Sequence, residues 1–220
     1  MMAASAIWRW SVLHLARQPL VLLLWGVSFL WMPLVQRLEP IPSLGSPQVE
    51  TALAWCFPAG LLGVLLGLVT LSQHEEFLQR LDPLLRWAGD LGATLAPCLL
   101  LQLPIAAGAL AGGTPVSEFV PRVPAILCTD LRLAGLALLM LLPGISTAAR
   151  VLGFLGLAWL VPAFLAGGAP LAGRVAQLLD ASDSLRCSEP LVCAASALPG
   201  AAFVVAAYLL RALRTRATDA

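Results

Sequence analysis

Six long apolar stretches constrain the fold of this chain more than any other feature of its sequence. Crossing about 30 Å of hydrocarbon takes about 20 residues of α-helix, because backbone amides in lipid must be hydrogen-bonded within the protein. The stretches comprise residues 19–35, 52–72, 91–112, 124–147, 151–169 and 190–210. They predict an all-α, polytopic membrane protein with six transmembrane helices.

The overall composition supports lipid as the main solvent of the folded chain. Hydrophobic residues make up 60% of the 220 residues and charged residues only 11%, whereas soluble domains carry roughly a quarter charged residues. Too few charges are present to cover a surface that faces water. The connections are short except for residues 36–51, residues 170–189 and the opening stretch. No linker separates soluble parts, so we interpret residues 1–220 as a single transmembrane domain.

The basic residues restrict the chemistry that this chain can perform. All thirteen are arginine and lysine is absent, which excludes a Walker A loop and a lysine Schiff base. The formal net charge of +1 argues against nucleic acid as a partner, because that binding needs a concentrated basic surface. We therefore expect no nucleotide hydrolysis by the chain itself.

Histidine and cysteine are too scattered to predict an enzyme. An intramembrane enzyme needs a nucleophile with a base, or a set of metal ligands, at membrane depth. The two histidines, His14 and His74, flank the apolar stretches instead, and the five cysteines contain no C-x-x-C pair. These patterns support no catalytic residue, no cofactor and no metal site.

The distribution of arginine predicts how the chain is oriented. With six spans both ends lie on the same side, which holds eight arginines against four on the other, with Arg132 near the rim as a fifth. Cytoplasmic loops carry the excess of positive charge. We therefore expect a multi-pass protein of the plasma membrane with both termini in the cytoplasm.

The residues before the first stretch, AIWRWSVLHLARQPL, predict a helix that lies in the cytoplasmic interface of the membrane. Its apolar side chains form a broad stripe that Arg9, His14 and Arg17 interrupt, which is typical of interfacial helices. Trp8 and Trp10 would then lie at the depth of the lipid headgroups. The alternative is a single longer, tilted first helix.

A charged stretch, LSQHEEFLQRLDPLLRWAGD, joins the second and third spans on the predicted cytoplasmic side. Asp82 followed by Pro83 is typical of a helix N-terminus, and Gly89 suits a helix end. The pattern predicts a short cytoplasmic helix from Pro83 to about Ala88, with Asp90 then capping the third span.

This charged stretch is not a plausible catalytic site. Its adjacent carboxylates, Glu75 and Glu76, would point about 100° apart on a helix rather than converge. Two interpretations stay open from the residues alone. The stretch is either a solvated turn that reconnects two spans, or a surface on which a cytoplasmic partner docks.

Three polar residues lie at membrane depth and are candidates for function, because burying polar groups in lipid is costly. Asp130 and Arg132 are about 200° apart on a helix and cannot pair directly. We expect both near the outer surface, where Arg132 can snorkel to the headgroups; the alternative is that they line an outer cavity or a subunit interface. Gln102 is expected to bond to a neighbouring helix.

Three glycines, Gly60, Gly63 and Gly67, line one side of the second span. Such spacing of small residues allows two helices to approach closely. The partner helix belongs either to the same chain or to a second copy across a dimer interface.

Several stretches together resemble a known family of transporters. RQPL before the first span, FPAGLLGVLLGLVTLSQHEE in the second span, and the short helix before the third span resemble type-2 ABC transporter permeases. RVLGFLGLAWLVPAFLAGGAPLAG and ASALPGAAFVVAAYLLRALR are similar to the haem-exporter B subunit of cytochrome c maturation. The chain differs from the family pattern in having Phe77–Leu78–Gln79–Arg80, without glycine, after the two glutamates.

The resemblance implies a permease subunit that moves a substrate across the plasma membrane using ATP hydrolysed by a separate ABC ATPase subunit. Such permeases pair as homo- or heterodimers, and the short helix of each docks on the ATPase. The matching docking residues are Glu75, Glu76, Arg80, Asp82, Pro83, Leu84, Leu85 and Arg86. The narrower alternative is a haem-exporter B-like subunit, and a different class is a non-transporting membrane scaffold or assembly factor.

Overall fold

The chain folds as a bundle of α-helices in a computed structural model that describes residues 13, 17, 19–38, 47–73, 83–141, 144–165, 170–180, 185 and 190–218. Three long helices come first: α1 (Pro19–Leu38), α2 (Pro47–Gln73) and α3 (Pro83–Ala111). A short α4 (Val116–Phe119) and a 3₁₀ turn (Val120–Arg122) lead into α5 (Val123–Met140). The second half contains α6 (Thr147–Leu155), a π-helical turn (Gly156–Leu160), α7 (Val161–Leu165), α8 (Pro170–Leu179) and α9 (Pro190–Thr218).

Five segments in the described part of the chain are long and apolar enough to cross a membrane. They are Val49–Gln73, Arg86–Ala111, Val116–Met140, Thr147–Leu165 and Ala195–Leu213. Their length and composition make this a multi-pass, all-α membrane protein. Helix α1 is a further helix of 20 residues, and it covers the first predicted stretch.

The start of α3 differs from the sequence prediction. The helix begins at Pro83, as the Asp-Pro signal predicts, but it continues without a break to Ala111. The predicted helix end at Gly89 and the predicted capping role of Asp90 are therefore wrong. Gly89 is buried, and the described glycines with positive φ are Gly113 and Gly144. Gly89 is thus a packing residue within a helix, not a terminal residue in the left-handed region.

The fourth and fifth predicted stretches also have different limits in the structure. Helix α5 ends at Met140, and the following turn contains Gly144 with a φ of 81°, a conformation that favours glycine. Ser146 then caps α6, because its side-chain oxygen accepts a hydrogen bond from the amide of Ala149. The predicted fourth span to residue 147 and fifth span from residue 151 are therefore wrong at their shared boundary.

Helices α2 and α3 approach each other through the glycines of α2. A Cβ added at Gly63 would lie 2.5 Å from the backbone nitrogen of Cys98, and one at Gly67 would lie 2.6 Å from the carbonyl oxygen of Ala93. Both positions are buried. These glycines therefore serve packing within one chain, and the alternative of a dimer interface at these residues is wrong.

Helices α5 and α9 show the same close contact. A Cβ at Gly135 would lie 2.9 Å from the carbonyl oxygen of Gly200, and one at Gly200 would lie 2.9 Å from the backbone nitrogen of Arg132. Around these contacts, α2, α3, α5, α6 and α9 bury one apolar core that includes Leu68, Leu133 and Phe154. The close helix spacing fixes which polar side chains can meet inside the bundle.

Helix α1 contacts α3 at a backbone group that a proline leaves free. Pro104 has no amide hydrogen, so the carbonyl group of Leu100 one turn earlier has no partner within α3. The indole nitrogen of Trp25 donates a hydrogen bond to that carbonyl oxygen. The contact thus satisfies a polar group that would otherwise face lipid.

We expect Trp25→Phe to lower the free energy of unfolding by about 1 kcal/mol, because it keeps an aromatic ring but removes the hydrogen bond to Leu100. Thermal unfolding of the purified protein in detergent measures the change. Trp159→Phe is the matched control, because the Trp159 side chain is 63% exposed. Equal effects of the two substitutions would contradict the proposed role of the indole hydrogen bond.

Candidate functional site

Two groups of buried polar side chains lie inside the described part of the bundle. We call Gln102, Asp130 and the carbonyl group of Cys56 the Asp130 cluster, and Arg86, Asp90 and Arg211 the Asp90 cluster. The first joins α2, α3 and α5, and the second joins α3 to α9. Buried polar groups in a membrane bundle are candidates for function.

The Asp130 cluster confirms that Gln102 bonds to neighbouring helices. Its amide nitrogen Nε2 donates to Asp130 Oδ1 at 2.8 Å and to the carbonyl oxygen of Cys56 at 3.1 Å. Asp130 is only 1% exposed. Gly60 makes room for the pair, since a Cβ there would lie 2.6 Å from Asp130 Oδ1 and 2.9 Å from Gln102 Nε2.

Two oxygen atoms of the Asp130 cluster have no hydrogen-bond partner among the described residues. They are Asp130 Oδ2 and Gln102 Oε1, and both are buried. Leaving a buried acceptor unpaired costs about 1–3 kcal/mol. The two unpaired acceptors distinguish this cluster from an ordinary structural hydrogen bond between helices.

Arg132 is buried, whereas the sequence predicts a side chain that snorkels to the lipid headgroups. It is 3% exposed, so the expectation that it snorkels to the outer surface is wrong. Its guanidinium donates to the carbonyl oxygens of Gln177 and Asp180 at the end of α8 and to that of Ser196 in α9. The last carbonyls of a helix attract positive charge, so α8 provides a buried site for this side chain.

The Asp90 cluster is built around a carboxylate that is 1% exposed. Asp90 Oδ2 accepts a hydrogen bond from Arg211 Nη1 and lies 3.8 Å from Arg86 Nε, one helical turn earlier. Arg211 also donates from Nη2 to the carbonyl oxygen of Leu141, just past the end of α5, at 3.1 Å. One arginine therefore connects α3, α5 and α9.

Further contacts tie the helices together near the Asp90 cluster. The indole nitrogen of Trp87 donates to the carbonyl oxygen of Val204 at 3.4 Å, and its ring meets that of Tyr208 edge to face, with centroids 5.6 Å apart. Arg150, at the start of α6, donates to Ser72 Oγ near the end of α2 at 3.1 Å. This end of the bundle thus holds polar contacts between several pairs of helices.

The predicted docking residues are only partly described by the structure. Four of them, Glu75, Glu76, Arg80 and Asp82, lie outside the described residues. Pro83, Leu84 and Leu85 form the first turn of α3, with side chains outside the described set. Arg86 is described, and it lies beside Asp90 in the buried cluster. The docking role of these residues therefore stays a prediction.

The predicted interfacial helix lies almost wholly outside the described residues. Before α1 the structure describes Leu13 and Arg17, where the amide of Arg17 donates to the carbonyl oxygen of Leu13 at 3.3 Å. Among the described residues, no group of three or more possible metal ligands occurs. The described cysteines, Cys56, Cys98 and Cys128, are buried thiols that form no disulfide.

Sequence reasoning missed the Asp90 cluster. It treated Asp90 as a helix cap, and it counted Arg150 and Arg211 only as topological signals. A usable signal was present, because Asp90 and Arg211 both lie at ends of apolar stretches that the predicted topology places on the same side. Opposite charges at one membrane depth are candidates for a pair.

No protein-family model, curated protein or solved structure matches this chain. The resemblance to permeases therefore rests on the residues and spacings given above.

Proposed function

We propose that the protein is the membrane-spanning permease subunit of an ABC transporter, moving its substrate across the plasma membrane with ATP hydrolysed by a separate subunit. In this proposal α1 is the first of six spans, both termini lie in the cytoplasm, and two permease chains form a homo- or heterodimer. The ATPase docks at the start of α3 and on the residues before it.

The observation that carries the proposal is the continuity of α3. The helix runs unbroken for 29 residues from Pro83, a length of about 43 Å. A force applied by a partner at Pro83 would act on the same continuous helix that holds Gln102 in the Asp130 cluster. The start of α3 is thus suited to transmit motion into the membrane.

The Asp90 cluster supports the same proposal. Asp90 lies seven residues after Pro83 and is tied to Arg211 of α9, which also bonds at the end of α5. A movement of the first turns of α3 would therefore also reach α9 and α5. The absence of lysine supports a separate source of ATP hydrolysis, since a Walker A loop requires that residue.

Copurification tests the proposal. We expect the tagged protein, extracted in mild detergent from its native membrane, to carry an ATPase chain with a Walker A loop and to hydrolyse ATP. Reversal of the three charges Glu75, Glu76 and Arg80 should remove both the ATPase chain and the activity, because docking needs complementary charge at this surface.

Glu118→Arg is the control for charge reversal, because Glu118 is exposed in α4, beyond the opposite end of α3. This variant should retain the ATPase. Isolation of the folded wild-type chain without an ATPase would contradict the proposal and favour a scaffold or assembly factor. Chemical labelling that placed residues 82–88 outside the cell would also contradict it.

A further inference from the structure

The Asp130 cluster lacks one hydrogen-bond donor. Both hydrogens of the Gln102 amide group are used, one by Asp130 Oδ1 and one by the carbonyl oxygen of Cys56. The two remaining side-chain oxygens, Asp130 Oδ2 and Gln102 Oε1, are buried without a partner in the described structure. A carboxylate and an amide oxygen are both acceptors, so they cannot satisfy each other.

No basic side chain in the described part of the chain forms an ion pair with Asp130. The ion pairs there involve Asp90 and Glu50. Arg132 is two residues further along α5, but its guanidinium is bonded to carbonyl groups of α8 and α9. The carboxyl group of Asp130 therefore has a buried amide as its only described hydrogen-bonding partner.

The other titratable groups that face Asp130 are two thiols. Cys56 of α2 and Cys98 of α3 lie within electrostatic range of its carboxyl group. The Cys98 thiol is directed at the carbonyl oxygens of Gly60 and Thr94, at 3.4 and 3.2 Å. The described titratable side chains of α9 are Tyr208 and Arg211. They lie at or beside the Asp90 cluster and not at the Asp130 cluster.

We propose that the Asp130 cluster is a binding site for one proton inside the membrane. A proton on Asp130 Oδ2 converts that atom from an acceptor into a donor, and Gln102 Oε1 is the unpartnered acceptor of the same pair. A single hydrogen on Oδ2, donated to Oε1, would satisfy both oxygens. A divalent cation does not fit, because Ca²⁺ and Mg²⁺ take about six or more oxygen ligands, and this cluster has four oxygens, of which two are unpaired.

The location of the site gives the bound proton a structural role. The cluster joins α2, α3 and α5, and Gly60 leaves no space for a larger group beside the Asp130 carboxyl group. With the proton bound, the three helices close around a neutral pair. Loss of the proton leaves a negative charge that only water or a counter-ion can stabilise. Because neither can reach the closed cluster, deprotonation accompanies separation of these helices. Binding of a proton at this site requires no ATPase partner.

Asp130→Asn is the deciding variant, because asparagine imitates the protonated acid. Its Oδ1 can accept from Gln102 Nε2 while its Nδ2 donates to Gln102 Oε1. We expect this variant to fold with a thermal midpoint equal to or above that of the wild type. Asp130→Leu should fold poorly, because leucine can neither accept a hydrogen bond from Gln102 Nε2 nor donate one to Gln102 Oε1. Failure of Asp130→Asn to fold would overturn the proposal.

Infrared spectroscopy reads the proton directly, without relying on a variant. At neutral pH the wild-type protein should show the carbonyl stretching band of a protonated carboxylic acid. Incorporation of ¹³C-carboxyl aspartate should shift this band, whereas labelled glutamate should leave it unchanged. The band should be absent from Asp130→Asn and present in Glu118→Gln. A wild-type spectrum with only carboxylate bands would overturn the proposal.

A comparison of sodium and potassium salts distinguishes a bound proton from a bound metal cation at the same carboxyl group. The thermal midpoint of the wild-type protein should be the same in NaCl and in KCl of equal ionic strength. Stabilisation by Na⁺ that is lost in Asp130→Asn would overturn the proposal and assign the site to a metal cation.

Discussion

Arg211→Gln should destabilise the bundle by up to about 3–5 kcal/mol, the usual cost of removing one member of a buried ion pair. Arg86 Nε stays 3.8 Å from the same Asp90 oxygen, which is too far to replace the lost hydrogen bond. Asp90 is 1% exposed, so its charge cannot turn to bulk water when the guanidinium is removed. The substitution also removes a hydrogen bond to the carbonyl oxygen of Leu141. We therefore expect a large fall in the thermal midpoint of the purified protein.

An exposed ion pair in the same chain provides the control. Arg122 Nη2 lies 3.5 Å from Glu50 Oε1, and the Glu50 side chain is 68% exposed. Exposed pairs contribute about 0–1 kcal/mol, so Glu50→Gln should have little effect. The contrast between the two positions separates burial from the mere presence of opposite charges.

A double substitution tests whether the cost arises from the Asp90 charge that has lost its hydrogen-bonded partner. Asp90→Asn in the Arg211→Gln background removes the charge that the single variant leaves buried. Replacing both members of a buried pair by neutral groups is often close to neutral, so the double variant should regain much of the lost stability. A double variant that is less stable than Arg211→Gln would contradict this explanation.

Local sequence patterns predicted the parts of the fold that depend on residues close together in the chain. The six apolar stretches predicted the helical segments, and the Asp-Pro pair predicted the start of α3 at Pro83. The helix end at Gly89 was wrong because sequence alone does not distinguish a glycine that ends a helix from one that packs inside it. The distinction depends on whether another helix lies against that residue.

The polar clusters required knowledge of which helices meet and at what depth. Gln102 was predicted to bond across helices, but the identity of its partner depends on the relative positions of α3 and α5 along the membrane normal. Arg132 was predicted to snorkel to the headgroups because the sequence gives no sign that the end of α8 supplies buried carbonyl groups. Asp90 and Arg211 are 121 residues apart, beyond the reach of any local pattern.

Gly63→Ala, in the close contact between α2 and α3, should also have a large effect. We expect it to lower the free energy of unfolding by about 1–3 kcal/mol through overpacking. The added Cβ would lie 2.5 Å from the backbone nitrogen and 2.6 Å from the Cα atom of Cys98. Backbone atoms cannot move aside by a change of rotamer, so α2 and α3 must separate. Separation weakens the contacts on which the Asp130 cluster depends.

Gly26→Ala is the matched control, since Gly26 is also within a long helix but a Cβ there meets no atom within 4 Å. Alanine is more favourable than glycine inside a helix by about 0.5–1 kcal/mol, so this variant should be as stable as the wild type or slightly more stable. Thermal unfolding of the two variants in detergent measures the difference. Opposite signs of the two changes would attribute the Gly63 effect to close helix packing, because helix propensity alone favours alanine at both positions. An equally stable Gly63→Ala protein would show that α2 and α3 do not meet at this residue.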